Sequence, residues 1–208
     1  MPIKPILFNT EMVRAILDGR KDATRRIVKG FIPDDAVWGY TAFTPKGYIS
    51  CRGTFADGYG EKFFKLHCEP GDILYVRETW KKAPNGYYYY EDWQRNDIAD
   101  ITKWKPSIHM PKEAARIWLK VMNVRVERLQ EITDEQAKRE GIQYDECPTG
   151  FTWKQETDMH NCYTTPIGAM QALWNSTIKK SDLDRYGWDA NPYVWVIEFE
   201  RCEKPEGV

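Results

Sequence analysis

Gly19-Arg20-Lys21-Asp22-Ala23-Thr24-Arg25-Arg26 is the stretch on which the reading of this chain turns. It sets four cations, one hydroxyl and a helix-ending glycine side by side. Ahead of it, Thr10 is a candidate N-cap, and Met12, Val13, Ile16 and Leu17 recur at helical spacing, which predicts a short amphipathic helix from Glu11 to Asp18. Gly19 supplies the left-handed residue that closes such a helix. The turn behind it presents Arg20, Lys21, Thr24, Arg25 and Arg26 beside a helix C-terminus, whose partial negative charge favours cations. Charged surface turns are common, so the bland reading is a solvated basic turn. The hydroxyl three residues after the lysine, with two arginines following it, argues for a site that meets an anion or a nucleic acid.

Working outward, Pro5-Ile6-Leu7-Phe8 reads as a buried strand leading into the first helix. On the other side, residues 31–66 show no sustained period and read as an insertion, with one edge strand over Gly47 to Cys51. Pro70-Gly71-Asp72 is a turn, and the alternating run Ile73 to Trp80 predicts a strand with Leu74, Val76, Glu78 and Trp80 on one face. A buried unpaired carboxylate is expensive, so Glu78 sits either at the frayed end of the strand or facing a polar pocket, which makes it a secondary site candidate. Residues 81–112 form a second insertion that ends in a proline-bracketed loop, Lys105 to Pro111. Its His109 titrates near neutrality and is eligible for proton transfer, although a lone histidine is more often structural. Arg116 to Leu129 alternates and is β-branched, predicting one long bent strand or a hairpin about Met122-Asn123.

Thr133-Asp134-Glu135-Gln136 has the spacing of a capping box, and Gly141 closes a helix of two turns. Glu140 falls in its last turn, where a carboxylate loses a few tenths of a kcal/mol against the helix dipole. Either the charge is exposed and screened, or a function holds it there. On the second view, neutralising it leaves folding unchanged or slightly improved. Residues 143–164 read as a third insertion. Pro166 then opens a helix with Ile167, Met170, Leu173, Trp174 and Ile178 on one face. Tyr193 to Phe199 is a dense β run suited to a central strand.

Composition narrows the classes of function. The 208 residues can bury one substantial core, so the expectation is a single domain, 1–208. Lys and Arg number 30 against 31 Asp and Glu, a net charge of -1, so no global basic field drives nucleic-acid binding and any such contact is local. No apolar run is long enough to span a membrane and no signal-peptide pattern opens the chain, which points to the cytoplasm. The five cysteines lack a Cys-x-x-Cys pair and read as thiols. His67-Cys68 and His160-x-Cys162 miss the usual ligand spacing, so neither a metal nor a cofactor is expected. Nine tryptophans and twelve tyrosines serve equally as core volume and as stacking platforms.

Short strands interspersed with short helices argue for an α+β fold built on a small mixed β-barrel with helices at its rim. The segments Gly19-Arg20-Lys21-x-x-Thr24-Arg25-Arg26, Gly71-Asp72-x-Leu74-x-Val76-Arg77-Glu78-x-Trp80, Val124-x-Val126 and Glu140-Gly141-Ile142, with the closing strand to Phe199, together resemble the ASCH domain, a PUA-like barrel, and in particular its phage-encoded members. The resemblance implies binding of RNA or a modified nucleoside, in the host cytoplasm if the protein is phage-encoded. In small bacterial members it implies an amidohydrolase acting on N4-acetylcytidine through a lysine, a threonine and a glutamate, which match Lys21, Thr24 and Glu140. Amide hydrolysis needs a nucleophile, a base and an acid, and these three residues supply one each. Arg20, Arg25, Arg26, Glu78 and His109 are the candidate substrate contacts. Two alternatives stand beside hydrolysis: a binding module without chemistry, and a phage protein that uses its insertions against a host partner. Catalysis sets one geometric condition. In a regular strand Lys21 and Thr24 point to opposite faces, so the chain must turn or bulge between them.

Overall fold

The computed structural model describes residues 2–94, 103–144, 150–153 and 162–207. The first strand, β1 (Ile3–Leu7), runs into α1 (Thr10–Leu17), and β2 (Ala23–Ile27) follows. A three-stranded sheet comes next: β3 (Val37–Gly39), β4 (Tyr48–Phe55) and β5 (Gly58–Lys65). After it lie β6 (Ile73–Arg77), the hairpin β7 (Trp80–Ala83) and β8 (Gly86–Tyr89), and the short helix α2 (Tyr90–Gln94). The remainder is β9 (Trp118–Arg128), α3 (Asp134–Arg139), the pair β10 (Gln143–Tyr144) and β11 (Phe151–Thr152), then α4 (Pro166–Thr177), α5 (Leu183–Tyr186) and β12 (Tyr193–Cys202). The fold is α+β, dominated by strands, with short helices.

The main sheet has the order β1-β6-β9-β12-β2. β1 lies parallel to β6, and every other pair is antiparallel. Among the described residues no strand pairing closes this sheet into a barrel, and β1 and β2 are its two edges. The middle strands are covered on both sides. Leu74, Val76, Leu119 and Val121 enter the main core with Val13 and Ile16 of α1 and Leu173 of α4, while Ile73, Tyr75 and Trp118 pack into a second core with Trp80 and Met110. A strand buried on both faces carries apolar residues at nearly every position, which is the pattern of Ile73 to Val76.

Several expectations shift here. Asn9, not Thr10, caps α1, accepting from the Met12 amide at 2.9 Å, and the helix ends at Leu17. β6 stops at Arg77, so Glu78 lies outside the strand, and Trp80 packs in the second core, away from Leu74 and Val76. Residues 31–66 hold β3, β4 and β5, and β4 is the middle strand of that sheet instead of an edge. β9 is one strand: Asn123 pairs with Glu198 and Val121 with Phe199, leaving Met122 as the extra residue of a β-bulge. The capping box forms as read, with Thr133 accepting from the Gln136 amide.

Cys51, Cys68 and Cys202 are free thiols, and burial pushes Cys51 up to about 11 and Cys68 up to about 12. Cys162 is disulfide-bonded, which corrects the reading of every cysteine as a thiol. Part of the third insertion, with Cys147 and His160, lies outside the described residues. Among the described residues no cluster of three His, Cys, Asp or Glu could hold a metal, and no helix is long and apolar enough to cross a membrane.

Candidate functional site

Between α1 and β2 the chain does not run as a strand. Gly19, at φ 73°, turns it out of the helix, and β2 begins only at Ala23. In between, Lys21 forms an isolated antiparallel bridge with Glu140. The Asp22 amide donates to the Arg139 carbonyl at 3.1 Å, and the Asp22 carbonyl accepts from the Phe199 amide at 2.8 Å. This irregular passage breaks the alternation that would set Lys21 and Thr24 on opposite faces. Both line one cavity of about 250 Å³, together with Arg25, Arg26 and Glu140. Phe8 and Asn9, at the junction of β1 and α1, form one wall, and Met170, Leu173 and Trp174 of α4 form another. The indole of Trp174 is fixed by donating to the Tyr186 carbonyl at 2.8 Å.

Glu140 is the C-cap residue of α3 and is only 3% exposed. One carboxylate oxygen, Oε2, accepts from Lys21 Nζ at 2.7 Å, and the other, Oε1, from Arg25 Nη1 at 3.1 Å. Lys21 Nζ also donates to the Glu140 carbonyl at 2.9 Å and the Ala23 carbonyl at 2.7 Å, so all three ammonium protons are engaged. One of those acceptors is a carbonyl at the end of α3, a group that no further turn of helix could satisfy. Burial lowers the pKa of Lys21 below its usual 10.5; the Glu140 carboxylate opposes the shift, and Arg26 and Arg25 add to it.

Arg25 is the second buried cation. Its Nη2 donates to Glu127 at 2.5 Å and to Gln136 Oε1 at 3.1 Å, while its Nε is buried without a partner among the described residues. Gln136 Oε1 also accepts from the Thr133 amide at 3.1 Å, so one side chain serves both the helix cap and the site. From Glu127 the charges alternate outward. Arg125 bonds Glu127 at 3.0 Å and Glu198 at 2.6 Å, and Arg139 bonds Glu198 at 3.3 Å and Asp22 at 2.7 Å. Thr24 pairs with Ile197 of β12 and is 4% exposed, and its hydroxyl makes no hydrogen bond among the described residues. Arg26 donates from Nη2 to the Leu7 carbonyl at 2.7 Å and lies over the Phe8 ring, 5.3 Å from its centre.

Three candidates fall elsewhere. Arg20 donates to the Gly141 carbonyl at 3.0 Å and to Asp18 at 3.2 Å, bracing the turn after α3 without lining the cavity. Glu78 receives both Arg116 Nε and Nη2 at 2.9 Å, in a cluster with Glu91, Asp92 and Arg14. Burial raises its pKa and Arg116 opposes the rise. The polar surroundings expected of Glu78 therefore belong to a separate ion cluster. His109 is exposed on a single 3-10 turn, Ser107–His109.

Sequence reasoning missed Glu127, Gln136, Arg125, Glu198 and the walls given by Phe8 and Trp174. One signal was available: Arg125 and Glu127 alternate with Val124 and Val126, which marks a charged face on an otherwise apolar strand. No protein-family model, curated protein or solved structure matches the chain.

Proposed function

We propose that this chain is an ASCH-type, PUA-like protein that receives a modified nucleoside, or RNA bearing one, and hydrolyses an N4-acyl amide of cytidine in the cavity at Lys21. The observation that carries this reading is the convergence of Lys21, Thr24 and Glu140, drawn from two distant segments, on one cavity, with Lys21 Nζ 2.7 Å from the Glu140 carboxylate. The two edges of the main sheet, linked through Arg26 and the Leu7 carbonyl, fit an opened form of the family's barrel.

The pair suits the chemistry through one internal proton shift. As an ion pair it holds an ammonium and a carboxylate; moving a proton from Lys21 Nζ to Glu140 gives a neutral amine that can act as a base and a carboxylic acid that can act as a donor. Burial favours the neutral amine of Lys21, whereas the Glu140 carboxylate beside it opposes the loss of its proton. With the amine free, Thr24 Oγ attacks the acyl carbon and its proton passes to Lys21. The tetrahedral adduct then collapses, the C–N bond breaks, and the departing exocyclic nitrogen takes the proton of Glu140. Water, deprotonated in turn by the pair, cleaves the threonyl ester and releases the carboxylic acid.

One observation favours a second reading, a binding site without chemistry: all three Lys21 protons are already engaged, as in a fixed ammonium. Incubation of the protein with N4-acetylcytidine, followed by mass spectrometry for cytidine and acetate, separates the two. Equal amounts of both products are expected; binding without product rejects hydrolysis.

A further inference from the structure

A second, larger cavity of about 550 Å³ opens beside the first, and Leu7 and Arg26 line both. β1 contributes the run Lys4 to Leu7 and β2 contributes Arg26 and Ile27, so this cavity lies between the two unpaired edges of the main sheet. The Arg26 side chain bridges those edges, through its 2.7 Å bond to the Leu7 carbonyl. Its guanidinium group therefore stands on the boundary between the two cavities.

The larger cavity has an apolar floor of Ile6, Leu74 and Ile197, and its charged or titratable residues are Lys4, Arg26, Lys29, His67 and Cys68, the last a thiol that burial keeps protonated. No carboxylate lines it among the described residues. Asp72 takes Lys4 at 2.7 Å, which leaves the charges of Arg26 and Lys29 as the excess. The field is felt by His67, whose pKa is lowered by burial first and then by Arg26, Lys29 and Lys4. A chain with a net charge of -1 thus concentrates positive charge at one concave place. Size points the same way. At about 250 Å³ the smaller cavity alone falls short of the roughly 300–1,000 Å³ common for ligand sites, and with its neighbour it comes well within that range.

We propose that the larger cavity takes the phosphate of the substrate, so that the molecule acted on is a nucleotide, free or within a strand, whose acylated base enters the smaller cavity. This rests on the nucleoside reading above. A phosphate carries one to two negative charges and accepts two parallel hydrogen bonds from a guanidinium, which suits Arg26, while Lys29 supplies a point charge at the rim.

Calorimetric titration of the full chain with cytidine, cytidine 5′-monophosphate, cytidine 3′-monophosphate and a cytidine-containing trinucleotide tests the proposal. At low salt one of the monophosphates is expected to bind about tenfold tighter than cytidine or better, the size of one charge-assisted hydrogen bond. In Lys29→Ala, and more so in Lys29→Glu, the ratio of the two affinities falls toward one. Lys29 is exposed, so folding is not at stake in either variant. A trinucleotide that binds tighter still, with a steeper loss of affinity in salt, identifies a strand as the source of the phosphate; a trinucleotide no better than the monophosphate identifies a free nucleotide. Measurable but equal binding of cytidine and both monophosphates, or a ratio untouched by Lys29→Glu, overturns the phosphate site and leaves the base site standing. Binding of none of the four overturns the nucleoside reading as well.

Discussion

Glu140 stands at the C-terminal end of α3, where a carboxylate opposes the helix dipole, and two buried cations answer it. From sequence its neutralisation was expected to leave folding unchanged or slightly improved. The ion pairs reverse that expectation. Glu140→Gln leaves Lys21 and Arg25 without their shared counter-charge, and the loss of one partner in a buried pair costs about 3 kcal/mol, readable as a lower urea midpoint. Lys21 governs pH dependence. Its pKa is depressed below 10.5, and the working pair of the proposed mechanism holds one proton between Lys21 and Glu140, so kcat/KM for N4-acetylcytidine falls as pH rises along a limb centred below that value. Arg26 helps to depress it, so in Arg26→Ala the limb moves to higher pH; an unmoved limb assigns the titration to another group. Glu78 makes an opposite case. Its folded pKa is raised above 4.5, so the folded state holds its proton longer than the unfolded state as pH rises. Its contribution is therefore full below about 4.5 and is lost as pH rises through the raised value. The stability of the native chain relative to Glu78→Gln should fall across that window, and a constant difference would show that the pKa is not raised.

At the scale of elements, the cap of α3 and the site are joined through Gln136, which serves both Thr133 and Arg25. Gln136→Ala, which removes the acceptor shared by the Thr133 amide and Arg25 Nη2, should cost about 1 kcal/mol and should also slow turnover, whereas a purely structural cap would leave the rate untouched. Gly141 ends the same helix at φ 103°, and a Cβ there would sit 3.0 Å from that of Ala15. Gly141→Ala is therefore expected to cost about 1–3 kcal/mol, measured by thermal melting. Elements with a strong local signal were legible in the sequence. The Thr133–Gln136 box, the glycine stops, the helix opened by Pro166 and the dense run in β12 each carry one dominant cue, and each formed. β5 was not legible, because its Gly58–Lys65 run is exposed at most positions on both faces and so shows no alternation. Glu78 was assigned to a strand because alternation continues past Arg77, where pairing with β9 has already stopped at Tyr75.

For the molecule as a whole, the open sheet matters more than the number of its strands. Its unpaired edges leave room for one cavity, and the irregular passage from Lys21 to Ala23 helps to build the other beside it. The two halves of the candidate site were legible to different degrees. Lys21, Thr24, Arg25 and Arg26 announced themselves by local density of charge, whereas Glu127, Gln136 and Glu198 reach the site only through sheet register and helix packing that no single segment encodes. The same distinction explains the setting of Glu78, whose partner Arg116 lies 38 residues away in sequence. The central claim is that Lys21, Thr24 and Glu140 act as one unit, and single-turnover hydrolysis of N4-acetylcytidine by the native chain, Lys21→Ala, Thr24→Ala and the double variant tests it most directly. Each single change should lower the rate by about a hundredfold or more, and the double change should cost little beyond either, because members of one catalytic unit are not additive. Near-native rates in Thr24→Ala, or losses that multiply in the double variant, would contradict the account.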